Sequence, residues 1–295
     1  MEFRPFHVHL ATTFRGVRER AGVLIKDRTA DGDVAWGEFS PFPNYSPSQR
    51  HRWWTAALEA AQGNWPEPVR DTVAVSSIVP EVPAHQAASY ATAGGCLTAK
   101  VKVGGASSLM EDAHRVEAVA AALGPHGKVR VDANGAWDVD DAVRALTELE
   151  MAARRGGLPG LEYVEQPCAT IAEMAQLRRR VDTLIAADES IRVPDDPLEV
   201  VRAEAADILV LKVAPLGGVR ACLRIAEQTE LPIVVSGALE SSVGLMAGIA
   251  LARALPALPY ACGLGTGALL TNDTVRETVV PRDGTLGSVT LDVTV

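Results

Sequence analysis

The sequence predicts an α/β protein, a (β/α)7β-type TIM barrel preceded by an α+β capping domain. From about residue 72 onward, short apolar runs alternate with Ala- and Leu-rich segments of helical character, which is the pattern of parallel strands joined by helices. Eight such runs fall within about 190 residues, and eight parallel strands close a barrel. An open doubly wound sheet is the weaker alternative, because no GxGxxG motif follows the first run.

The predicted barrel strands recur at intervals of roughly 22–33 residues, without similarity between the repeats. They occupy residues 73–80, 97–103, 128–134, 161–167, 183–190, 207–213, 232–238 and 260–265. Helical segments between them include 108–123, 138–155 and 218–228. Asp138 suits the start of the second of these helices and Arg155 suits its end, because each charge complements the helix dipole.

The first 70 residues have a different pattern. They contain candidate strands at 3–10, 20–28 and 34–41, an Asp-Gly turn signal at 31–32, and a Trp-containing helical segment at 49–62. The tail after residue 269 holds strand-like pieces but no further barrel unit. We therefore expect a capping domain at 1–70, joined by the C-terminal tail 270–295, and a catalytic barrel at 71–269.

Composition excludes several classes of function. The chain has 295 residues and a formal net charge of -9, so it lacks the basic footprint of a nucleic-acid-binding protein. Its four cysteines show no CxxC spacing and are typical of a reducing compartment. The first residues lack a signal-peptide pattern, and an arginine and two prolines interrupt the longest apolar stretch. We expect a cytoplasmic protein that binds neither nucleic acid nor membrane.

The segment LTAKVKVGG places two lysines, Lys100 and Lys102, in an apolar strand. Side chains alternate along a strand, so both ammonium groups point to the same face. A solvated edge strand would account for them. A buried functional site is the alternative, and the other strand ends favour it.

Each predicted strand from the second to the seventh ends in a polar residue within an apolar run. In a barrel these C-terminal ends carry the catalytic groups. A helix N-cap or a turn would explain any single acid, but six successive polar ends favour one shared site. The six residues are Lys102, Asp132, Glu165, Asp188, Lys212 and Ser236.

Three carboxylates that converge on one barrel mouth repel one another unless a cation lies between them. Hard oxygen ligands of this kind suit Mg²⁺, and Mn²⁺ would satisfy them as well. The sequence has no cysteine–histidine cluster of the type that binds zinc, and we interpret all six histidines as structural or solvated.

Several motifs together resemble the enolase superfamily, and within it the muconate-lactonizing subgroup. They are KVKV, VRVDANGAW, YVEQP, ADES and LVLKVAPLGG, preceded by AWGEFSPFP. The resemblance covers essentially the whole chain. It implies that Asp132, Glu165 and Asp188 bind Mg²⁺, with Asn134 and Glu189 steering these ligands or the lysines by hydrogen bonds.

The same resemblance assigns the lysines. Lys102 would abstract the proton α to a carboxylate, forming an enediolate whose charge the metal stabilises. Lys102 has to be neutral to act as a base, and the positive charge of Lys100 beside it favours loss of its proton. Lys212 would lie on the opposite side of the substrate.

Three features favour the o-succinylbenzoate synthases within this subgroup. The chain is short, Arg130 precedes Asp132 in an RxDxN pattern, and the segments SGALESSVGL and CGLGTGALL resemble the last two strand loops of those enzymes. The implied reaction is the syn dehydration of 2-succinyl-6-hydroxy-2,4-cyclohexadiene-1-carboxylate, a dicarboxylate, on the menaquinone pathway. Arg130, Ser236 and Gly237 are the predicted substrate contacts, the last two through backbone N–H groups or the hydroxyl.

Two other functions stay open at this point. An N-acylamino acid racemase or a dipeptide epimerase would use Lys102 and Lys212 as two bases, although the acidic DxD expected of epimerases is missing where this chain has GLGTG. A non-catalytic barrel could bind an anionic metabolite through GLGTG at a helix N-terminus. The Arg-rich segment 11–22 is either a lid that reads the succinyl end or a solvated hairpin turn.

Overall fold

The computed structural model describes residues 1–14 and 16–295 and shows a mixed α/β fold. Its first part is an antiparallel sheet of three strands, β1 (Glu2–Phe14), β2 (Val17–Arg28) and β3 (Val34–Phe39), followed by helix α1 (Pro47–Ala61). Ser46 caps this helix by accepting a hydrogen bond from the N–H of Gln49, whose side chain reaches back to the N–H of Ser46. The sequence predicted three strands and a helix here, and the structure has them.

A parallel sheet of seven strands makes up most of the remaining fold, in the order in which the strands follow along the chain. Its strands are β5 (Ser76–Val79), β6 (Thr98–Lys102), β7 (Lys128–Asp132), β8 (Val164–Glu165), β9 (Ile185–Ala187), β10 (Ile208–Leu211) and β11 (Ile233–Val235). Two further strands, β4 (Thr72–Ala74) and β12 (Thr285–Gly287), form a separate antiparallel pair. Helices follow most of the parallel strands and cover the outer face of the sheet.

The helices of this part are α2 (Ala84–Ala91), α3 (Leu109–Leu123), α4 (Val139–Arg155), α5 (Ile171–Arg178), α6 (Glu189–Arg192), α7 (Glu199–Arg202), α8 (Val213–Leu216), α9 (Val219–Glu227) and α10 (Ser242–Ala254), with short 3-10 helices at Ala93–Gly95 and Gly265–Leu269. The three predicted helices match α3, α4 and α9 to within a residue at each end. Asp138 caps α4 by accepting from the N–H of Asp141 at 2.8 Å. No helix in the described part of the chain is long and apolar enough to span a membrane.

The last predicted strand, 260–265, is not a regular strand, yet its backbone bonds to both ends of the parallel sheet. The N–H of Ser76, the first residue of β5, donates to the carbonyl of Cys262 at 2.8 Å. The N–H of Gly263 donates to the carbonyl of Val235, at the other end of the sheet, at 2.8 Å. Beyond this point the chain turns into the 3-10 helix at Gly265–Leu269, so strand-like hydrogen bonding is limited to Cys262 and Gly263.

Strand β8 is also shorter than predicted. The sequence predicted 161–167, but β8 covers only Val164–Glu165. Gln166 has a positive φ of 41°, which breaks the extended conformation, and Pro167 has no N–H to continue the ladder. The break leaves Glu165 as the last residue of its strand.

The C-terminal tail packs on the first sheet. Val275 and Val293 join a core cluster with Phe6, Val8 and Leu24. The N–H of Thr271 donates to the carbonyl of His9 at 2.9 Å. The tail therefore covers the edge of β1 that β2 leaves free, while β12 pairs with β4.

Candidate active site

The parallel register brings three charged strand ends into one row. Lys102 on β6 is the register partner of Asp132 on β7, and Asp132 is the partner of Glu165 on β8. Asp188, Lys212 and Ser236 each follow directly on the last residue of β9, β10 and β11. The six polar residues at the predicted strand ends therefore stand at one end of one sheet, as parallel pairing dictates.

Lys100 lies between two of the acids. Its Nζ is 2.7 Å from Glu165 Oε1 and 3.2 Å from Asp132 Oδ2, and all three side chains are buried. Burial alone would lower the pKa of Lys100, but the carboxylates of Asp132 and Glu165 outweigh it and raise that pKa above its ordinary value. Lys100 is therefore a fixed positive charge in this structure.

Lys102 is held by the loop that follows β7. Its Nζ donates to the carbonyl of Asp132 at 3.2 Å and to Oδ1 of Asn134. Asn134 adopts a positive φ of 48°, which asparagine tolerates better than most residues. Its Nδ2 donates to Glu189 Oε1 at 3.2 Å. Asn134 thus links Lys102 to Glu189.

Asp188 is fully buried between two cations. Lys212 Nζ lies 2.7 Å from Oδ2 of Asp188, and Arg192 Nε lies 2.9 Å from its Oδ1. Arg192 also donates to Glu189 Oε1 at 2.6 Å and to the hydroxyl of Tyr45 at 2.9 Å. The sequence reasoning missed Arg192, although its place four residues after Asp188 on a helical turn is a readable signal.

The carboxylates of Asp132, Glu165 and Asp188 repel one another. Burial raises the pKa of Glu165, and the neighbouring carboxylates of Asp132 and Asp188 raise it further, while Lys100 opposes them. Among the described residues, the oxygens of these three acids do not all lie within 4.8 Å of one another. The ammonium groups of Lys100 and Lys212 lie between them. Buried, mutually repelling carboxylates are the donor set that a hard divalent cation requires, so the residues fit Mg²⁺ once the ammonium groups draw back.

A pocket opens above this row of charges. Lys100, Asp132, Lys212 and Arg192 form its charged wall. Phe42, Tyr45, Ile78 and Leu239 form an apolar wall on the other side, and Thr266 lies beside Ser236 and Gly237. Phe42 and Tyr45 come from the segment before α1, so the N-terminal part contributes directly to the pocket.

Thr266 is the second residue that the sequence reasoning missed. It is 4% exposed, and its hydroxyl has no hydrogen-bond partner among the residues that the structure describes. A buried hydroxyl without a partner is costly. Because this hydroxyl lies in the wall of the pocket, a bound polar group can satisfy it. Within GLGTG the threonine was the only side chain with hydrogen-bonding atoms, which was the available signal.

Ser236 and Gly237 line the pocket, but their backbone N–H groups already donate within the protein. The N–H of Ser236 donates to the carbonyl of Leu211 at 2.9 Å, and the N–H of Gly237 donates to the carbonyl of Gly263 at 3.0 Å. Both groups belong to the hydrogen bonds that join the last strands. The Ser236 hydroxyl, which donates weakly to the Gly263 carbonyl at 3.3 Å, is what these two residues present to the pocket.

The position of Arg130 also differs from the prediction. Its guanidinium is fully buried, donates to Glu162 and, at 2.7 Å, to the carbonyl of Ala261, and lies 4.6 Å from the centre of the Tyr163 ring. None of these groups lines the pocket. Arg130 and Asp132 do share a strand face, but the arginine side chain extends away from the strand end, toward Glu162 and Ala261.

The described residues of the Arg-rich segment 11–22 do not line the pocket either. Arg20 is buried and donates to the carbonyl of Leu239 at 3.3 Å, and its guanidinium lies 4.0 Å from the centre of the Phe42 ring. Arg18 donates to the Thr13 hydroxyl at 2.7 Å. Residue 15 of the segment lies outside the described residues. Arg20 thus supports two wall residues from behind, and GLGTG enters a short 3-10 helix with no α-helical N-terminus for an anion.

Comparison with known proteins gives consistent matches along the chain. Residues 83–289 match the family model described as enolase C-terminal domain-like, and residues 6–61 match the one described as enolase N-terminal domain-like. The o-succinylbenzoate synthase of Thermobifida fusca is 55% identical over 287 residues, which cover 97% of this chain and 87% of the relative. Other curated relatives at 48% to 51% identity bear the same name.

Solved structures resemble the whole fold. A muconate lactonizing enzyme from Pseudomonas fluorescens, complexed with muconolactone, superposes with a TM-score of 0.83 at 26% identity and covers 99% of this chain and 96% of that one. A dipeptide epimerase from Enterococcus faecalis, complexed with Mg and a dipeptide, superposes with a TM-score of 0.79 over the same shares of the two chains. Its identity is 22%, so this likeness concerns the fold alone.

Proposed function

The chain belongs to the enolase superfamily, and from that premise we propose that it is an o-succinylbenzoate synthase. Its reaction is the loss of water from 2-succinyl-6-hydroxy-2,4-cyclohexadiene-1-carboxylate, which yields o-succinylbenzoate for menaquinone synthesis. The observation that carries the proposal is the row of Lys102, Asp132 and Glu165 at neighbouring strand ends. The names of the most similar relatives support the substrate.

The proposed architecture is a closed (β/α)7β barrel at 71–269, capped by residues 1–70 together with the tail 270–295. The hydrogen bonds that join Cys262 to Ser76 and Gly263 to Val235 support closure, because Ser76 lies in β5 and Val235 in β11, the two ends of the seven-stranded sheet. The contacts of the tail with His9 and Val8 support its assignment to the cap. Such closure places the strand-end row at the mouth of the barrel, beneath the cap.

Asp132, Glu165 and Asp188 are the proposed ligands of Mg²⁺, and Mn²⁺ would suit the same oxygens. When bound, the metal supplies stabilisation of the negative charge that develops on the substrate carboxylate. In this structure Lys100, Arg192 and Lys212 pair with these carboxylates and balance their charge. Glu189 and Asn134 fix the lysine and arginine partners in turn, because Glu189 accepts hydrogen bonds from both Asn134 and Arg192.

Lys102 is the proposed acid and base. Its Nζ stands at the end of β6, where Asn134 and the Asp132 carbonyl orient it, and it acts as a base in its neutral amine form. It removes the proton α to the carboxylate and returns that proton to the departing hydroxide. A syn elimination needs no second base, because both events take place on one face of the ring.

Lys212 faces the substrate from another side. It follows β10, separated from β6 by three strands, and its ammonium is anchored on Asp188. As a fixed cation opposite Lys102 it attracts the electron-rich ring as this becomes aromatic. The same arrangement favours the second candidate, an N-acylamino acid racemase or dipeptide epimerase, in which Lys102 and Lys212 would each exchange a proton on one face.

The succinyl end of the substrate is proposed to extend toward Thr266 and the Ser236 hydroxyl. These are polar groups in an otherwise apolar wall, and the Thr266 hydroxyl has no other partner among the described residues. Phe42 and Leu239 pack against the hydrocarbon part and keep water from the reacting atoms.

The direct test is an ultraviolet assay of the cyclohexadiene substrate with the full chain, with and without Mg²⁺. We expect conversion to o-succinylbenzoate that stops when EDTA removes the metal and resumes when Mg²⁺ is added back. Unchanged turnover in EDTA would contradict the metal assignment, and no conversion under any condition would contradict the proposed substrate.

The racemase alternative is tested by deuterium exchange at Cα of N-acylamino acids and dipeptides, starting from each enantiomer. Exchange from both enantiomers, abolished from one by Lys102→Ala and from the other by Lys212→Ala, would establish it. Absence of exchange with every such substrate excludes it.

A further inference from the structure

The outer face of the first sheet carries two imidazoles and a carboxylate that the proposed reaction does not use. In β1 the residues Phe6, Val8 and Leu10 are buried, so the alternate residues His7 and His9 point to solvent. Glu19 on β2 is the register partner of His9 and lies on the same face. The two histidines, interpreted from sequence as structural or solvated, therefore form a cluster with a carboxylate across the strand pair.

The donor atoms of this cluster are close together. One ligand atom each from His7, His9 and Glu19 lie within 4.8 Å of one another. His7 Nε2 is 3.1 Å from Glu19 Oε2, and the centres of the two imidazole rings are 4.5 Å apart. Tetrahedral zinc, with bonds of about 2.0–2.1 Å, holds its ligand atoms roughly 3.4 Å apart, so small side-chain rotations complete the geometry.

The backbone beneath the cluster is held on both edges. On one side β1 pairs with β2 along the register from Glu2 to His9. On the other, Asn272 of the C-terminal tail accepts from the N–H of His9 at 2.7 Å and donates to the carbonyl of His7 at 3.1 Å. Ligands carried on fixed strands lose little entropy on binding a metal, because only their side-chain torsions remain free.

We propose that His7, His9 and Glu19 bind a divalent transition metal ion, with Zn²⁺ as the best match. Two imidazole nitrogens and one carboxylate oxygen are a ligand set that zinc accepts, with water in the fourth position. Mg²⁺ strongly prefers oxygen ligands, so this site and the strand-end acids select different metals. None of the three residues lines the pocket. The ion bridges β1 and β2 and so stabilises the capping sheet.

The test is a calorimetric titration of Zn²⁺ into the full chain, free of any histidine tag and saturated with Mg²⁺. We expect one zinc event that His7→Gln and His9→Gln each weaken by about 10–100-fold, as loss of a ligand should. Glu19→Gln should weaken it as well. His114→Gln, which alters another exposed histidine on α3, is the matched control and should leave the event unchanged.

Two outcomes would overturn the site: absence of the zinc event from the native chain, or its persistence at native affinity in the His7→Gln/His9→Gln double variant. Co²⁺ gives an independent reading, because a tetrahedral site produces visible absorption that the double variant should lose. The double variant should keep its Mg²⁺-dependent turnover and its melting temperature in the absence of zinc. The zinc site and the proposed reaction can therefore fail independently.

Discussion

Two layers of buried charge lie in the parallel sheet. The upper layer is Lys100 with Asp132 and Glu165, and the lower layer is Arg130 with Glu162. Lys100 on β6 and Arg130 on β7 are register partners. The Lys100 side chain reaches toward the strand ends, to Asp132 and Glu165, and borders the pocket. The Arg130 side chain reaches the other way, to Glu162 and the carbonyl of Ala261.

The difference shows that buried charges form a binding site where a pocket gives a ligand access to them. Burial of the charges alone does not distinguish such a site from a structural ion pair. In the lower layer the Arg130 guanidinium lies 4.6 Å from the Tyr163 ring centre and 5.9 Å from that of Tyr260, and none of these three residues lines the pocket at the strand ends. The upper layer opens into the pocket, so a cation or a substrate carboxylate can replace its lysine–carboxylate pairs. A buried ion pair alone is weak support for either role.

The largest expected effect is on chemistry in the upper layer. Lys102→Ala should lower kcat by about 10⁴-fold, because it removes the proposed acid and base, while the melting temperature stays close to native. Lys102→Arg should be equally inactive, since arginine does not deprotonate. Lys128→Ala, at an exposed lysine paired with Glu162 of the lower layer, is the control and should keep full kcat. Substantial turnover by Lys102→Ala would remove this lysine as the base.

The lower layer should respond in stability instead. Arg130→Met should reduce the free energy of unfolding by about 1–3 kcal/mol, because Glu162 and the Ala261 carbonyl lose a buried donor while Lys128 remains the other partner of Glu162. Urea denaturation measures the loss, and adding Glu162→Gln should restore part of it. If Arg130→Met raised KM more than tenfold without loss of stability, the arginine would contact substrate after all, and the division between the two layers would fail.

A smaller effect is expected at the pocket wall. Thr266→Val keeps the shape of the side chain but removes its hydroxyl, and should raise KM about tenfold, as the loss of one hydrogen bond predicts. Stability should stay the same or rise, because the hydroxyl has no partner among the described residues. Thr266→Ser retains the hydroxyl and should retain most of the affinity. An unchanged KM in Thr266→Val would place the succinyl end elsewhere.

The smallest effect concerns the link between the cap and the site. Tyr45→Phe removes the hydroxyl that accepts from Arg192 at 2.9 Å, a loss of about 0.5–1.5 kcal/mol. We expect a KM increase of a few fold with kcat nearly unchanged, measured in the same ultraviolet assay. Tyr90→Phe on α2 is the control. A large fall in kcat would instead mean that Arg192 and Asp188 depend on the cap for their placement.

The sequence predicted the strand-end residues well because parallel pairing leaves little choice. Once strands alternate with helices, their C-terminal ends must meet, so Lys102, Asp132 and Glu165 fall into one row. The residue types alone also predict that this row carries lysines and carboxylates rather than a cluster of zinc ligands.

What the sequence could not predict is where long side chains extend and which backbone groups stay free. Arg130 shares a strand face with Asp132, but the period of a strand does not determine whether a side chain extends up or down that face. The N–H groups of Ser236 and Gly237, one of the two predicted routes to the substrate, donate to the carbonyls of Leu211 and Gly263. Arg192 and Thr266 lie outside regular strands, where no periodic pattern assigns them to the pocket.

The hydrogen bonds of residues 262–263 and 271–272 bear on how the protein is made. The first pair joins both ends of the parallel sheet, and the second covers the open edge of β1. Both contacts link segments far apart in the chain, which slows folding. During synthesis from the N-terminus, β1 and β5 each keep an exposed edge until nearly all of the polypeptide has left the ribosome. Nascent chains stalled before residue 260 should therefore need a chaperone to protect two unpaired strand edges from aggregation.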